Sequence, residues 1–367
     1  MQFRIPKELL LRGLTTVQGV VETKKTLPVL SHILLEAKKG GVSLFGTDLD
    51  IGINSQIEAE VFQSGAVSIP GRRLYEIIRE LPESIIDIEA DQDCVVSIHC
   101  NYSEFRLKGL PKEEFPSFPE PKREGGHIIS RETLWEMIQK TIFAVSTDQT
   151  RYTLTGVLFQ ILPEEFRMVA TDGHRLALVK KDRGEIKGVG NWEALVPKKA
   201  LSELLKMLRD EGGEVGIRLI DNQIVFDLQR EVLMARLIEG QFPNYEQVIP
   251  GFTQRRVLVK RALLSGALRR TTAILGERIA PTKLDIFQDR MVVSCVNQDL
   301  GEAKETLEIE YQGDEISMGF NAKYILDFLN VAFGEDVVIH FSDPLSPTLY
   351  RVRGDEGYTC IIMPMRL

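Results

Sequence analysis

Apolar residues recur with helical spacing in three widely separated stretches. In "VSIPGRRLYEIIRELPES" the stripe is Leu74, Ile77, Ile78 and Leu81. In "ALVPKKALSELLKMLRDEG" it is Leu201, Leu204, Leu205 and Leu208. Spacing of i, i+3, i+4 and i+7 puts such residues on one face of a helix. "SMGFNAKYILDFLNVAFGED" carries a less regular version: Tyr324, Leu326 and Phe328 with Leu329. Each stretch has a short strand-like lead, then a turn, then the predicted helix. Elsewhere the period falls to two, as in Val95–Ile98 and Ile224–Leu228, which predicts half-buried strands.

The three stretches are spaced like domains. Pro70 and Pro197 lie 127 residues apart, and Asn321 follows 124 further on, too long a period for a solenoid unit. Other features keep step. A second candidate helix opens each third, in "PKELLLRGLTTVQGVV", "SRETLWEMIQKTIFAV" and "KRALLSGALRRTTAIL", with Ser130 placed to cap the middle one. An alternating run then ends at an aspartate turn, in "VSLFGTDLDIGI", "FRMVATDGHRLALV" and "RMVVSCVNQDLGEA". Pro- and Gly-rich stretches near 116–127 and 249–255 are natural linkers. The expected fold class is α+β: three similar domains over 1–120, 128–250 and 254–367, each with two helices packed on β-sheet and large enough for its own core.

Composition narrows the function. Of 367 residues, 43% are hydrophobic and 27% charged, as in globular domains. No apolar run approaches the ~20 residues of a membrane span, and "MQFRIPKELLLRG" lacks the pattern of a signal peptide. No membrane partner is expected. Cys94, Cys100, Cys295 and Cys360 show no CxxC spacing, which suits a reducing cytoplasm. The net charge of −8 argues against nucleic acid, unless the basic residues gather in one band.

The candidate chemistry is sparse. Asp172 and His174 sit two apart in "ATDGHRLALV", the arrangement with which hydrolases orient a general base. No G-x-S-x-G elbow supplies a nucleophile, and Asp48 holds the same place in "GTDLD" with no histidine nearby. Both aspartates therefore fit turn formers that accept backbone hydrogen bonds. Neither paired histidine spacing nor a P-loop is present, so no metal and no cofactor is expected. Basic residues recur on the repeated helices: Arg72, Arg73 and Arg79, then Lys198, Lys199, Lys206 and Arg209. For one helix a solvated face is the simpler reading; repeated, such faces can line one surface suited to phosphates. "YSEFRLKGL" puts Phe105 and Leu107 on one strand face, Arg106 and Lys108 on the other. Against it stand the acidic residues of "NQDLGEAKETLEIEY". The two are either ordinary surface strands or the halves of a head-to-tail interface.

Several motifs together, "TLPVLSHILLE", "LFGTDLDIGI", "ATDGHRLAL", "FPNYEQVIP", "GFNAKYILDFL" and the terminal "MPMRL", make the whole chain resemble the bacterial DNA polymerase III β subunit family, the sliding clamps. The resemblance implies two chains closed head to tail into a ring around duplex DNA, without catalytic residues or enzymatic activity. Its implied partners are duplex DNA irrespective of sequence, a second copy of the chain, the replicative polymerase, the clamp loader and other proteins with short clamp-binding motifs. The implied DNA-facing residues are Lys24, Arg72, Arg73, Asp148, Tyr152, Thr153, Lys198 and Lys199. An implied peptide pocket takes Leu154, Thr171, Gly173, His174, Arg175, Leu176, Pro243, Val248, Leu345, Pro347 and Ile361, and then Met363, Pro364, Met365, Arg366 and Leu367. The implied dimer interface sets Phe105, Arg106, Leu107 and Lys108 against Ile274, Leu275, Glu302, Glu305 and Glu308. The chain departs from the family at Asp148, where a neutral amide can stand, and at Gln247, where an arginine can. A peptide-binding scaffold that does not encircle DNA is the alternative.

Overall fold

A computed structural model of the chain describes all residues except 22–26, 118–125, 210–211, 252–254, 276–279 and 367. Lys24 and Leu367, both given roles by the resemblance, lie outside the described residues. Six α-helices are described: α1 (Lys7–Gln18), α2 (Gly71–Glu80), α3 (Arg131–Ile142), α4 (Lys198–Met207), α5 (Arg261–Thr272) and α6 (Ala322–Val331). No helix among the described residues is long and apolar enough to cross a membrane.

The first helix of each third does not open its repeat: a strand precedes it, at Gln2–Pro6, His127–Ser130 and Arg255–Lys260. These strands alternate buried and exposed residues, so that Phe3 and Ile5, for example, turn inward. The predicted stripes of α2 and α4 are largely buried, with Leu74, Ile78, Leu201 and Leu204 fully so. In α6 the buried face is Ala322, Ile325, Phe328 and Leu329, while Leu326 and Tyr324 are only half-buried. This is the register of α2, whose buried Gly71, Leu74 and Ile78 match Ala322, Ile325 and Leu329, so of the expected stripe Phe328 and Leu329 face inward and Tyr324 and Leu326 lie at its margin. Ser130 does act at the start of α3, where its Oγ accepts from the Thr133 N–H at 3.0 Å.

The chain divides into two compact units, and the middle third contributes to both. The first comprises Met1–Trp135, Ile186–Val189 and Lys199–Leu237. It holds a five-stranded sheet in the order Glu60–Gln63, Gln2–Pro6, Ile85–Ala90, Val95–Cys100, Ser103–Lys108. Its second sheet is nine-stranded: Ile186–Lys187, His127–Ser130, Glu214–Ile220, Gln223–Asp227 and Glu231–Arg236, continued by Ile51–Ile57, Gly41–Thr47, His32–Lys38 and Gly65–Pro70. The seam between its two parts is the antiparallel pairing of Glu231–Arg236 with Ile51–Ile57, in which Leu233 faces Ile53 and Met234 faces Gly52.

The second unit comprises Glu136–Glu185, Gly190–Lys198 and Ile238–Leu367. Its nine-stranded sheet runs Trp192–Pro197, Gly156–Ile161, Glu165–Thr171 and Arg175–Asp182, continued by Tyr358–Ile362, Thr348–Val352, Asp336–Phe341, Arg255–Lys260 and Glu310–Tyr311. Here the seam pairs Arg175–Asp182 with Tyr358–Ile362, and Leu176 faces Ile361. A four-stranded sheet, Gly301–Glu308, Arg290–Asn297, Pro281–Ile286 and Ile316–Asn321, completes the unit. A repeat boundary is thus crossed each time by a continuous antiparallel ladder, and the seam strands are buried instead of ending as open edges.

Candidate functional site

The opening turn of the site is built by side chains that satisfy backbone groups. Asp172 Oδ1 accepts from the N–H groups of His174 and Arg175, at 2.9 and 3.0 Å. The Thr171 hydroxyl donates to the Arg175 carbonyl and accepts from the Gly173 N–H. The turn at Thr47–Ile51 repeats this pattern: Asp48 Oδ1 accepts from Asp50 and Ile51, and Thr47 caps it likewise. Leu49 there has φ of 79°, where Gly173 has 88°. In the third repeat Asn297, not the expected Asp299, is the acceptor, taking the N–H groups of Asp299 and Leu300. Asp172 therefore orients no imidazole. His174 is exposed, and its carbonyl accepts from the Met363 N–H at 2.8 Å.

Beyond this turn the outer face of the seam carries an apolar floor. Leu154, Leu158, Val169, Leu176, Leu178, Leu195, Phe242, Tyr245 and Ile361 form one buried cluster, with Ile238 and Ile249 packed against it. Of the implied pocket residues, Leu154, Leu176 and Ile361 belong to this floor. Thr171 and Gly173 lie on the turn, and Pro243, Val248, Leu345 and Met363 are exposed. Pro347, Pro364 and Met365 are half-buried and Arg366 is exposed. Met365 is anchored by its N–H to the Gly319 carbonyl at 2.8 Å. An apolar floor bordered by exposed aliphatic groups can enclose the side chains of an extended peptide.

Arg175 does not join this surface. Its side chain is 8% exposed and bound on the opposite strand face: Nε to Asp172 at 3.0 Å, Nη1 to Asp327 at 2.6 Å and Nη2 to the Phe143 carbonyl at 2.6 Å. The guanidinium stacks over Tyr324 and Phe143 as well. The resemblance implies a place for it among the pocket walls; strand alternation puts it beneath, because Leu176 takes the outer face. The reading missed Leu158, Val169, Leu178, Leu195, Phe242 and Tyr245, although the "FPNY" motif and the period-two runs carry them.

The implied DNA-facing residues differ among themselves. Arg72 and Arg73 are exposed on α2, each paired with Glu76, whose carboxyl Arg72 chiefly holds below its usual range. Tyr152 is exposed and Thr153 half-buried in a short turn, Gln149–Leu154, that Gly240 approaches closely with φ of 117°. Asp148 caps that turn, accepting from the Thr150 N–H and hydroxyl, bonds that keep its carboxyl low. A carboxylate so held is a turn former. Lys199 is paired with the buried Asp48 at 2.5 Å. For Lys198 burial, together with the neighbouring Arg175 and Lys323 cations, lowers the pKa.

The implied interface residues lie on edge strands, except Ile274 and Leu275, which follow the end of α5. Ser103–Lys108 ends the five-stranded sheet and Gly301–Glu308 ends the four-stranded one. Phe105 is 37% exposed. Ile274 is half-buried and Leu275 buried. Arg106 pairs with Glu104, and Glu302 with Lys304. Glu305 does not share a face with Glu302 and Glu308: alternation turns it to α5, where Arg270 holds it in a bidentate pair. Among the described residues no cluster of His, Cys, Asp or Glu could hold a metal ion.

Comparisons with known proteins agree along the whole chain. Family models of the DNA polymerase III beta subunit match it in three parts: the N-terminal domain at 1–119, the central domain at 128–244 and the C-terminal domain at 246–366. The beta sliding clamp of Pseudomonas aeruginosa is 33% identical over 369 residues, and that of Escherichia coli 30% over 371, with all of both chains covered in each case. Among solved structures, the DNA polymerase sliding clamp of Bacillus subtilis superposes with a TM-score of 0.95 at 30% identity, over 100% of this chain and 99% of the other. A Bartonella birtlesii sliding clamp bound to griselimycin gives 0.94 at 33%, with both chains fully covered. The chain belongs to the DNA polymerase III beta subunit family, the beta sliding clamps.

Proposed function

We propose that two copies of this chain, each with domains at 1–120, 128–250 and 254–367, close head to tail around duplex DNA. The ring holds a replicative polymerase and other motif-bearing proteins, the clamp loader among them, through the pocket at the second seam. It works in the cytoplasm and catalyses nothing.

The observation that carries ring closure is a matter of strand number and register. Each nine-stranded sheet joins a five-stranded part to a four-stranded part. One five-stranded and one four-stranded sheet are left over in each chain, both with a free edge. Pairing the Ser103–Lys108 edge of one copy with the Gly301–Glu308 edge of the next makes a third seam of the same kind. The repeated hairpin tips at Asn101 and Gln229, both with positive φ, align Phe105 with Leu233. Carrying over the first seam's register then sets Phe105 opposite Ala303, Arg106 opposite Glu302 and Glu104 opposite Lys304. Both charged pairs are complementary, and such pairs favour one register over its neighbours.

A closed ring needs only loose, sequence-independent contacts to phosphate, from groups such as Arg72, Arg73, Lys198, Lys199, Lys24 and Tyr152. Retention then rests on topology, and a polymerase tethered through a short peptide rebinds as if intramolecularly. Sedimentation tests the seam. The wild-type chain is expected at twice the chain mass, Arg106→Glu as largely monomeric, and Arg106→Glu with Glu302→Arg as dimeric again. A charge swap that fails to restore the dimer contradicts the register, and a monomeric wild type contradicts the ring.

A further inference from the structure

Three pieces of the pocket border trace back to one buried side chain. The turn Thr171–Arg175 is fixed by Asp172, whose second carboxylate oxygen takes the Arg175 Nε–H at 3.0 Å. The segment that delivers Leu154 to the floor begins at Phe143, whose carbonyl takes Arg175 Nη2 at 2.6 Å, and it closes on itself where the Ser146 N–H meets the Leu154 carbonyl at 2.9 Å. The chain end is docked through Met363 on the carbonyl of His174, within that same turn. All of this is referred to α6 through Asp327, at 2.6 Å from Nη1, and through the face of Tyr324, 4.4 Å from the guanidinium carbon.

Resting on the pocket reading above, we propose that Arg175 is a positioning residue for peptide recognition: it sets the pocket's walls from the helix side of the sheet and does not touch the peptide. A planar guanidinium with five donors in a fixed fork can hold two carboxylates and a carbonyl at once, which an ammonium cannot. Pocket shape and the packing of α6 are therefore linked through Arg175. Asp327, on the far side of the strand from the floor, contributes to peptide affinity as well.

The test is a double-mutant cycle on peptide affinity, with amide hydrogen exchange as a second readout. A labelled peptide carrying a glutamine followed by aliphatic residues is titrated against wild type, Arg175→Lys, Asp327→Asn, the double variant and Leu176→Ala. Arg175→Lys and Asp327→Asn are each expected to weaken binding by about five- to twentyfold, and the double variant by no more than the worse single one. In both single variants the amides of Ser146 and Met363 are expected to exchange faster, while those of Ile86 and Ile98 in the five-stranded sheet stay unchanged. Unaltered affinity in Asp327→Asn, or losses that add in the double variant, overturns the proposal in favour of direct contact with the peptide. Unchanged exchange at Ser146 and Met363 overturns it too. Asp327→Asn keeps the test available if Arg175→Lys folds poorly. Unaltered binding in Leu176→Ala would instead sink the pocket reading itself.

Discussion

The two seams have the same architecture and opposite surfaces. At the second seam the outer face shows Leu176, Leu178 and Ile361 over a floor that includes Leu158, Val169 and Leu195. The pairing registers put Gly52, Asn54 and Met234 at the first three places in the first seam, and Leu34, Phe45 and Ser68 at the others. Leu34, Phe45 and Phe115 form a smaller buried apolar cluster there. The groove above them, about 430 Å³, is lined by these three side chains and by Glu36, Lys38, Ser43, Asn54 and Lys112 among others. Glu36 is held by Lys112 and Lys38. A hydrophobic peptide side chain placed there would desolvate polar groups without replacing their partners. One scaffold is used twice, and a few strand positions make the second face more apolar than the first.

The ties beneath the two surfaces differ as well. In the first seam Asp48 accepts from Lys199, a side chain that is 45% exposed. In the second Asp172 accepts from Arg175, which is buried and reaches on to Asp327. The second unit adds another node: Lys140, 5% exposed, bridges Glu136 and Asp355 and lies over the Tyr358 ring, and Lys181 binds the second oxygen of Glu136. A lysine so buried is tolerated only because each donor has a partner. The apolar face of the second seam thus lies over the more deeply buried of the two sets of ionic ties.

The largest expected effect comes from giving the second groove the residues of the first. Leu176→Gly with Leu178→Asn removes two aliphatic side chains from the floor, each worth about 1.5–3 kcal/mol of burial. Motif-peptide affinity should fall by about a hundredfold or more, with the dimer mass in sedimentation unchanged. In the wild type the same titration should saturate at one peptide per chain; two per chain would show that the first groove is not closed to apolar motifs.

Acid should loosen the second unit through Glu136. Burial opposes its charge, but the hydrogen bonds from Lys140 and Lys181 prevail and hold its carboxyl below the usual range. A depressed folded pKa means that the unfolded chain takes up the proton first. The stabilisation is complete above the ordinary glutamate pKa of about 4.3 and is lost as pH falls through the lower folded value. Glu136→Gln should therefore lower the unfolding temperature at neutral pH, by about 1–3 kcal/mol of stability, and flatten the acid limb of the stability curve. An acid limb identical to wild type would remove Glu136 from the account. In the first seam Lys199→Met should cost less, about 1 kcal/mol, because water already screens that lysine; denaturant titrations of the two variants compare them directly. Smallest of all, His174→Ala should change peptide affinity less than about threefold, since an exposed edge buries little area. A larger loss in the same fluorescence titration would make the imidazole a contact.

Much of this was legible before any coordinates. Helical stripes and repeat spacing follow from side-chain periodicity, which Leu74, Ile78, Leu201 and Leu204 obey because water drives them inward whatever their neighbours. The turn at Asp172 was legible because Asp48 repeats it without a histidine. What escaped notice depends on pairings between distant strands. Nothing local to Arg175 tells which face of its strand meets α6, and nothing local to Asp327 marks it as a partner 152 residues away. The resemblance groups Glu305 with Glu302 and Glu308, and the strand's alternation separates them. The opening strands were missed because four to six residues next to a stronger helical signal carry little periodicity of their own.

Topological retention tests the ring most directly. The dimer is loaded onto nicked circular plasmid with a bacterial clamp loader and freed of unbound protein by gel filtration at moderate salt. Half the sample is then cut once with a restriction enzyme. The ring predicts protein that stays with the circle and leaves the linear DNA within the time of a second column. Equal retention on circular and linear DNA would contradict it, since a protein held by surface contacts alone does not sense whether the DNA has ends.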